Sequence, residues 1–240
     1  MRAATLVSRA LDVVFPPRCV GCGAFDAFIC DSCLSSTKRA NGPRCPRCWK
    51  LGHAANHCSA GGPGSQPDSG EARRAPAFEA LRSTFVYDSP AGAAVRILKF
   101  HGVSAIAPTM AVLMNETLAE WSPPIDFIVP VPLGTVRKRT RGYNQSELLA
   151  REIHRHTGLP IEPNALRRAR ATQPQTEQPD AASRWRNVSG TFAPGKPPVT
   201  GSVLLIDDVT TTGATLDACA RTLLNSGATH VYALTFARED

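Results

Sequence analysis

One stretch of this chain reads Val203-Leu204-Leu205-Ile206-Asp207-Asp208-Val209-Thr210-Thr211-Thr212-Gly213-Ala214-Thr215, an apolar run followed by two acids and a threonine-rich loop. The apolar run predicts a buried parallel strand, and the apolar spacing of residues 214–225 predicts a helix. Free backbone N–H groups at the N-terminus of such a helix bind phosphate. Asp207 and Asp208 stand at the carboxyl end of the strand, where open α/β sheets bind ligands. The stretch therefore predicts an α/β fold with a phosphosugar site.

The same thirteen residues resemble the phosphoribosyl pyrophosphate (PRPP) fingerprint of the type I phosphoribosyltransferases. No Lys follows the glycine, which distinguishes the loop from that of a nucleoside triphosphatase. The resemblance implies that Asp207 and Asp208 are the catalytic acids, which hold the ribose hydroxyls directly or through Mg²⁺. It also implies that the loop and the helix start bind the 5-phosphate, through Thr211, Thr212, Gly213, Ala214 and Thr215. The alternative interpretation is a strand-end turn followed by a solvated loop.

Seven of the eight cysteines lie near the N-terminus, in three C-x2-C pairs and a single residue: Cys19 and Cys22, Cys30 and Cys33, Cys45 and Cys48, then Cys58. Two such pairs supply the four thiolates of a structural zinc site. The first two pairs predict one zinc ion. The remaining three cysteines predict a second, with His57 slightly favoured over His53 as the fourth ligand. Interleaved pairing and a second site without metal remain open alternatives.

Disulfides would require an oxidising compartment, and nothing in the sequence directs export. Residues 3–15 are partly apolar, but Arg9 and Asp12 interrupt them. This run is too short and too charged for a signal peptide or a membrane span, and it predicts an amphipathic helix. We expect a cytoplasmic zinc protein in which Cys219, on the predicted helix after the loop, is a small buried side chain.

The composition divides the chain into three parts. Residues 1–60 predict an N-terminal helix and a double zinc-binding module of the zinc-ribbon kind. Residues 61–76 are rich in Gly, Pro and Ser, which predicts a flexible linker. Residues 77–240 alternate predicted strands with predicted helices, and this alternation predicts a parallel sheet with helices on both faces. The strands are expected at 81–87 and 127–132, and the helices at 92–100, 106–121 and 146–157.

The formal net charge is +7, and residues 131–190 hold eleven Lys or Arg against five Asp or Glu. A basic region beside a phosphosugar site attracts polyphosphates or a nucleic-acid backbone. Trp49, Tyr143 and Trp185 each lie close to an arginine in the sequence, as stacking on single-stranded DNA requires. The alternative interpretation is a set of ordinary solvated arginines.

Several motifs, taken in order, resemble the ComF family. After the cysteine pairs they are Lys99-Phe100-His101-Gly102, Val129-Pro130-Val131-Pro132-Leu133, Arg141-Gly142-Tyr143-Asn144-Gln145-Ser146, Gln175-Thr176, and Arg184 with Asn187-Val188. The resemblance covers almost the whole chain except the linker. Two positions depart from the family pattern: Cys58 is followed by Gly61 rather than by a second cysteine, and Gln178 stands where leucine is usual.

This resemblance implies a type I phosphoribosyltransferase-like domain joined to a zinc-finger module. For members in competent bacteria it implies a part in moving single-stranded DNA across the membrane alongside a helicase partner, and for others the use of DNA as a nutrient. It also implies a mobile loop that closes over the pyrophosphate side of PRPP, with contacts from Lys99, Arg139, Arg141, Asn144 and Gln145. Lys99 closing a helix and Asn144 capping one are the structural alternatives.

We expect a protein that binds PRPP with Mg²⁺ and acts in the uptake or handling of single-stranded DNA. The alternative is an active phosphoribosyltransferase, in which pyrophosphate leaves the ribose as an unidentified nitrogen acceptor attacks. A PRPP-responsive transcription regulator is a third interpretation, and no helix-turn-helix pattern supports it.

Overall fold

The computed structural model describes residues 16–52, 58, 75–100, 102–169 and 190–240. Several predictions fall outside these residues. They concern the N-terminal helix, His53 and His57 as zinc ligands, nearly all of the linker, and the motifs between residues 170 and 189.

The described chain forms an α/β domain, and a small cysteine-rich module precedes this domain in the sequence. The elements are α1 (Asp31–Ser36), β1 (Ala80–Val86), α2 (Ala91–Phe100), α3 (Ala107–Trp121), β2 (Phe127–Pro130), α4 (Thr135–Arg141), α5 (Gln145–Thr157), β3 (Leu166–Arg168), β4 (Phe192–Pro194), β5 (Gly201–Thr210), α6 (Ala214–Leu224) and β6 (Ala228–Arg238). The four helices predicted in this domain and its first strand agree with these bounds to within one residue.

Four strands form one parallel sheet in the order β1-β6-β5-β2, and β3 and β4 form a separate antiparallel pair. Strand β2 stops at Pro130, opposite Ile206, whereas the sequence predicts a strand that continues to Pro132. Proline lacks the N–H group that would continue the ladder. Strand β5 continues to Thr210, beyond the predicted apolar run, because it stays paired with β6. The acids of β5 therefore lie where the sheet has lost one of its strands.

Apolar residues cover both faces of this sheet, as expected for parallel strands. One face packs against α2, α3 and α5, through side chains that include Leu98, Met110, Met114, Leu149, Ile153, Leu204, Ile206 and Phe236. The other packs against α6 and the β3–β4 pair, through side chains that include Leu166, Phe192, Val203, Leu205, Leu216, Cys219 and Leu223. The predicted parallel sheet with helices on both faces is confirmed, and so is the burial of Cys219.

The cysteine-rich module covers the outer edge of β1. The Ala40 N–H donates to the Thr84 carbonyl at 3.0 Å, and the Val86 N–H donates to the Lys38 carbonyl at 2.9 Å. Residues 38–40 thus act as a short antiparallel cap on a strand edge that would otherwise be unpaired.

A second contact joins the module to the end of β6. Arg44 and Arg238, both almost fully buried, each donate hydrogen bonds to the carboxylate of Asp240. Arg238 also donates to the Cys48 carbonyl at 3.0 Å. The guanidinium of Arg82 lies over the ring of Trp49 at 3.9 Å. In the part of the chain described, none of the helices has the length and apolar character needed to cross a bilayer.

Candidate functional site

The site is centred on Asp207 and Asp208, near the carboxyl end of β5. Asp208 is 4% exposed and its carboxylate lies 3.0 Å from the Lys99 ammonium, which α2 brings in at its C-terminal end. Asp207 accepts a hydrogen bond of 2.8 Å from the Ser146 hydroxyl, at the start of α5, and one of 2.9 Å from the Asp208 N–H. Two helices that pack on the same sheet face therefore hold the acid pair in place.

Burial raises the pKa values of both acids. The pKa of Asp207 rises from 3.8 to about 7, because burial and the neighbouring Asp208 charge outweigh the Ser146 hydrogen bond and the Lys99 charge. Burial also raises the pKa of Asp208, against the attraction of Lys99 and Arg141. The pair thus favours an additional cation over a second negative charge. Its donors are all carboxylate oxygens, which suit a hard divalent ion such as Mg²⁺.

The loop after β5 ends at a helix start that can receive an anion. Gly213 is the N-cap of α6, with φ of +81°, and no side chain caps the helix there. A residue with a β-carbon adopts this conformation only under strain. The Thr212 hydroxyl accepts from the Ala214 N–H at 3.3 Å, and Thr211 and Thr215 are half-buried. The residues predicted for the phosphate are therefore brought together at the N-terminus of α6.

Most of the residues predicted to contact the pyrophosphate side of PRPP have partners within the protein. Lys99 is paired with Asp208, which the sequence did not predict. Asn144 is buried and caps α5, since its side chain accepts from the Ser146 N–H and donates to the Val131 carbonyl. This confirms the capping alternative. Arg141 is half-buried and donates to the Gln145 side-chain oxygen at 3.1 Å, whereas Arg139 is exposed.

The predicted mobile loop is wrong in form. Residues Thr135–Arg141 are a helix, which ends at Gly142 with φ of +81°. Arginine and lysine favour helix, and glycine in the left-handed conformation is a common helix end. Gln145 and Ser146 follow as buried residues of α5.

Two residues around the acid pair, Ser146 and Phe100, were not predicted from the sequence as members of the site. Ser146 was noted only as part of a motif, and its hydrogen bond joins residues 61 positions apart. Phe100 is 68% exposed and lies against Arg141, with the guanidinium carbon 5.0 Å from the ring centroid. The closeness of aromatic and cationic residues in the sequence could have indicated Phe100, which follows Lys99. Of the residues in this region it indicated Tyr143, whose hydroxyl donates to the Leu98 carbonyl.

The cysteines form two separate clusters. The sulfur atoms of Cys19, Cys22, Cys30 and Cys33 lie within 4.8 Å of one another, and so do those of Cys45, Cys48 and Cys58. Sulfur atoms bound to one zinc ion at about 2.3 Å lie about 3.8 Å apart, and the sulfurs of Cys22 and Cys30 are 3.6 Å apart. The geometry fits a structural zinc ion in the first cluster, and it gives three of the ligands of a second. Interleaved pairing is excluded.

Glycine at position 21 is necessary for the first cluster. A β-carbon there would lie 2.7 Å from the Cys33 sulfur. The Cys30 N–H donates to the Cys19 sulfur at 3.4 Å. Burial opposes the thiolate of Cys19, but this and other backbone N–H groups outweigh it and lower its pKa to about 6. Such a thiol is ready to ligate a metal at neutral pH.

Two solved structures resemble part of this chain. A glutamine PRPP amidotransferase from B. subtilis is 20% identical, with a TM-score of 0.39 over 59% of this chain and 30% of that chain. A purine phosphoribosyltransferase from Pyrococcus horikoshii is 16% identical, with a TM-score of 0.30 over 55% of this chain and 81% of that chain.

Sequence comparisons cover more of the molecule. Residues 10–60 match a double zinc ribbon domain. The chain is 33% identical to the DNA utilization protein YhgH of Salmonella typhi, over 85% of this chain and 87% of that protein. It is 28% identical to the competence protein ComFC of Bacillus subtilis, over 84% and 80%, and 26% identical to competence protein F of Haemophilus influenzae, over 88% and 90%. With a double zinc ribbon and relatives matched along most of their length, the chain belongs to the ComF family.

Proposed function

We propose that this protein binds PRPP with Mg²⁺ at the acid pair and the α6 N-terminus, and that it acts in the uptake or handling of single-stranded DNA. The observation that carries the proposal is the acid pair, half-buried Asp207 and buried Asp208, followed by a helix start whose N-cap is Gly213. The pair favours a cation and the helix start favours an anion. A phosphorylated sugar carried with a divalent metal satisfies both demands in one ligand.

Each group in the site has a definite part in this proposal. Asp207 and Asp208 accept from the ribose hydroxyls or hold Mg²⁺, and the N–H groups of α6 with the threonine hydroxyls hold the 5-phosphate. Lys99 now pairs with Asp208, and it would become available to the pyrophosphate if Asp208 held a divalent cation instead. Arg141, kept in position by Gln145, adds charge on the same side. The part in DNA handling rests on the names of the relatives, which are DNA utilization and competence proteins.

The raised pKa of Asp207 favours a second candidate, an active phosphoribosyltransferase. A carboxylate with a pKa of about 7 is suited to accept a proton at neutral pH. Asp207 would take the proton of a nitrogen nucleophile as pyrophosphate leaves the ribose, while Lys99 and Arg141 stabilise the departing charge. Pyrophosphate released from PRPP on addition of a nitrogen base, and not without it, would support this candidate.

The binding proposal is tested by calorimetry with PRPP on the zinc-loaded full-length protein, with and without Mg²⁺. We expect saturable one-site binding that requires Mg²⁺. The double variant Asp207→Asn, Asp208→Asn should weaken it by about 100-fold or more, because each charge-assisted contact contributes about 1.5–3 kcal/mol. A matched control, Asp88→Asn with Glu120→Gln, changes two exposed acids and should bind like the wild type.

Thermal unfolding and zinc content are measured on every sample, so that lost binding is not confused with lost folding. Absence of PRPP binding by the folded, zinc-loaded wild type would contradict the proposal. Unchanged binding by the double variant would contradict the assignment of the acid pair.

A further inference from the structure

Phe100 is a large aromatic side chain that stands in solvent at the edge of the candidate site. It is 68% exposed and is the last residue of α2. The preceding residue, Lys99, pairs with Asp208 at 3.0 Å. Arg141, whose guanidinium lies over the Phe100 ring, also acts on the charge of Asp208, so the ring stands beside the acid pair, whereas most apolar side chains of this size are buried.

Arg141 fixes one side of this ring. Its guanidinium lies over the Phe100 ring, 5.0 Å from the centroid, and donates to the Gln145 side-chain oxygen at 3.1 Å. Gln145 is 2% exposed and therefore does not move freely. The guanidinium therefore holds the exposed ring in place from one side, and we call this pair the Phe100–Arg141 platform.

Helix α4 brings positive charge to the same place. Arg141 is its last residue, and Arg137, Lys138 and Arg139 before it are all exposed. No acid lies between residues 135 and 141, and the helix buries none of its residues. A flat aromatic surface next to a row of cations combines base stacking with phosphate contacts, which is how proteins bind single-stranded nucleic acid.

We propose that the Phe100–Arg141 platform stacks a base of single-stranded nucleic acid while the cations of α4 contact its phosphates. This inference rests on the proposed function. It adds the place, beside the PRPP site, where single-stranded nucleic acid binds. Duplex DNA is a poor ligand because its bases are already stacked and paired. A free base is also a poor ligand, because it has no phosphates for α4 to contact.

The zinc-binding module offers a matched control. Phe25 is 53% exposed, and the Arg18 guanidinium lies 4.1 Å from its ring centroid. This second ring has the same chemistry but lacks a row of cations, and Asp26 follows it directly. If any exposed Arg–Phe pair bound a base, both rings would contribute to binding.

The test is fluorescence anisotropy of a labelled thymidine oligonucleotide with the zinc-loaded full-length protein. An oligonucleotide of the same length made of abasic sites keeps the phosphates and removes the bases. We expect the wild type to prefer the thymidine strand, and Phe100→Leu to weaken its binding roughly 5- to 150-fold, the range for loss of one stacked base. Phe100→Leu should bind the abasic strand like the wild type. Phe100→Trp should retain the preference, and Phe25→Leu should leave it unchanged.

The proposal is overturned if the wild type binds neither strand, if it binds both equally, or if Phe100→Leu keeps the preference in a folded sample. Equal losses in Phe100→Leu and Phe25→Leu would also overturn it, as would full competition by free thymine or by a duplex of the same sequence. PRPP calorimetry on the wild type separates this result from the proposed function. If the protein bound the thymidine strand in preference to the abasic strand but did not bind PRPP, the proposed PRPP site would be contradicted. The proposal for the Phe100–Arg141 platform would still be supported.

Discussion

Asp207 is half-buried and the adjacent Asp208 is buried, and a single lysine, Lys99, pairs with Asp208. Ionisation of Asp207 is unfavourable in the folded protein, since its pKa rises from 3.8 to about 7. A raised acid pKa means that the folded state holds its proton to higher pH than the unfolded state does. The contribution of Asp207 to the free energy of unfolding is fully present below pH 3.8, and it is lost as the pH rises through about 7. The acid pair therefore costs stability at the pH where a metal ligand is most useful.

We predict that Asp207→Asn stabilises the ligand-free protein at pH 8. Asparagine keeps the oxygen that accepts from Ser146 and from the Asp208 N–H, and it carries no charge. The melting temperature should rise by at least about 2–4 °C, the response of a chain of this size to about 1 kcal/mol. The gain should shrink between pH 7 and pH 4. Differential scanning calorimetry at several pH values measures it, with Asp88→Asn as the exposed control. A lower melting temperature at pH 8, or a gain that does not depend on pH, would contradict the prediction.

Local sequence was sufficient for some residues of the site and insufficient for others. The acid pair, the threonine loop and the cysteine clusters follow from residues close together in the chain, so their spacing predicts them. The hydrogen bond of Ser146 to Asp207 and the pairing of Lys99 with Asp208 join different elements. Such partners depend on how helices pack on the sheet, which spacing does not encode.

Among the described helices, α4 buries none of its residues, as α1 does, and it has the highest density of positive charge. Its residues Arg137, Lys138 and Arg139 are exposed. The resemblance to the ComF family implied a mobile loop here, and the segment lacks the apolar stripe that is the main signal for a helix. The helix exists here because its residues favour helical conformation and Gly142 ends it. A helix without a buried face is free to use its surface for a ligand.

We predict that neutralising α4 reduces the salt dependence of single-strand binding. For the triple variant Arg137→Gln, Lys138→Gln, Arg139→Gln, the slope of log K against log salt should fall by about 2, because each phosphate contact on a single strand contributes about 0.7. Anisotropy titrations at several salt concentrations measure the slope. The control replaces Lys38, Arg155 and Lys196, three exposed cations outside α4, by Gln and should keep the wild-type slope. The same slope in both triple variants would show that only net charge matters.

At the scale of the whole molecule, the zinc-binding module and the α/β domain share a polar contact around Asp240. Arg44 and Arg238 are each 1% exposed, and both donate to this carboxylate. The hydrogen bonds from Arg44 are the largest cause that lowers the pKa of Asp240. A buried guanidinium without its carboxylate is costly, so the contact ties the two parts together.

We predict that Asp240→Ala lowers the melting temperature by roughly 3–12 °C, corresponding to about 1.5–3 kcal/mol for hydrogen bonds to charged groups in a chain of this size. Because the pKa of Asp240 is lowered, its stabilisation is present above pH 3.8 and is lost as the pH falls through the lowered value. The difference from the wild type should therefore close at the acid end of the series. Glu239→Ala, an exposed neighbour, is the control for calorimetry. Equal melting temperatures for Asp240→Ala and wild type at pH 7 would contradict this role.

The strand order β1-β6-β5-β2 also has a consequence for how the protein is made. Strand β6 pairs with both β1 and β5, and of the four strands of this sheet it is the last in chain order. At about 5–20 residues per second, roughly 7–28 s of translation separate Val86 at the end of β1 from Ala228 at the start of β6. During that interval β1 has no sheet partner on its inner side. Residues 38–40 are already synthesised and can pair with its outer edge, so the growing chain can cover β1 with its own zinc-binding module until β6 is made.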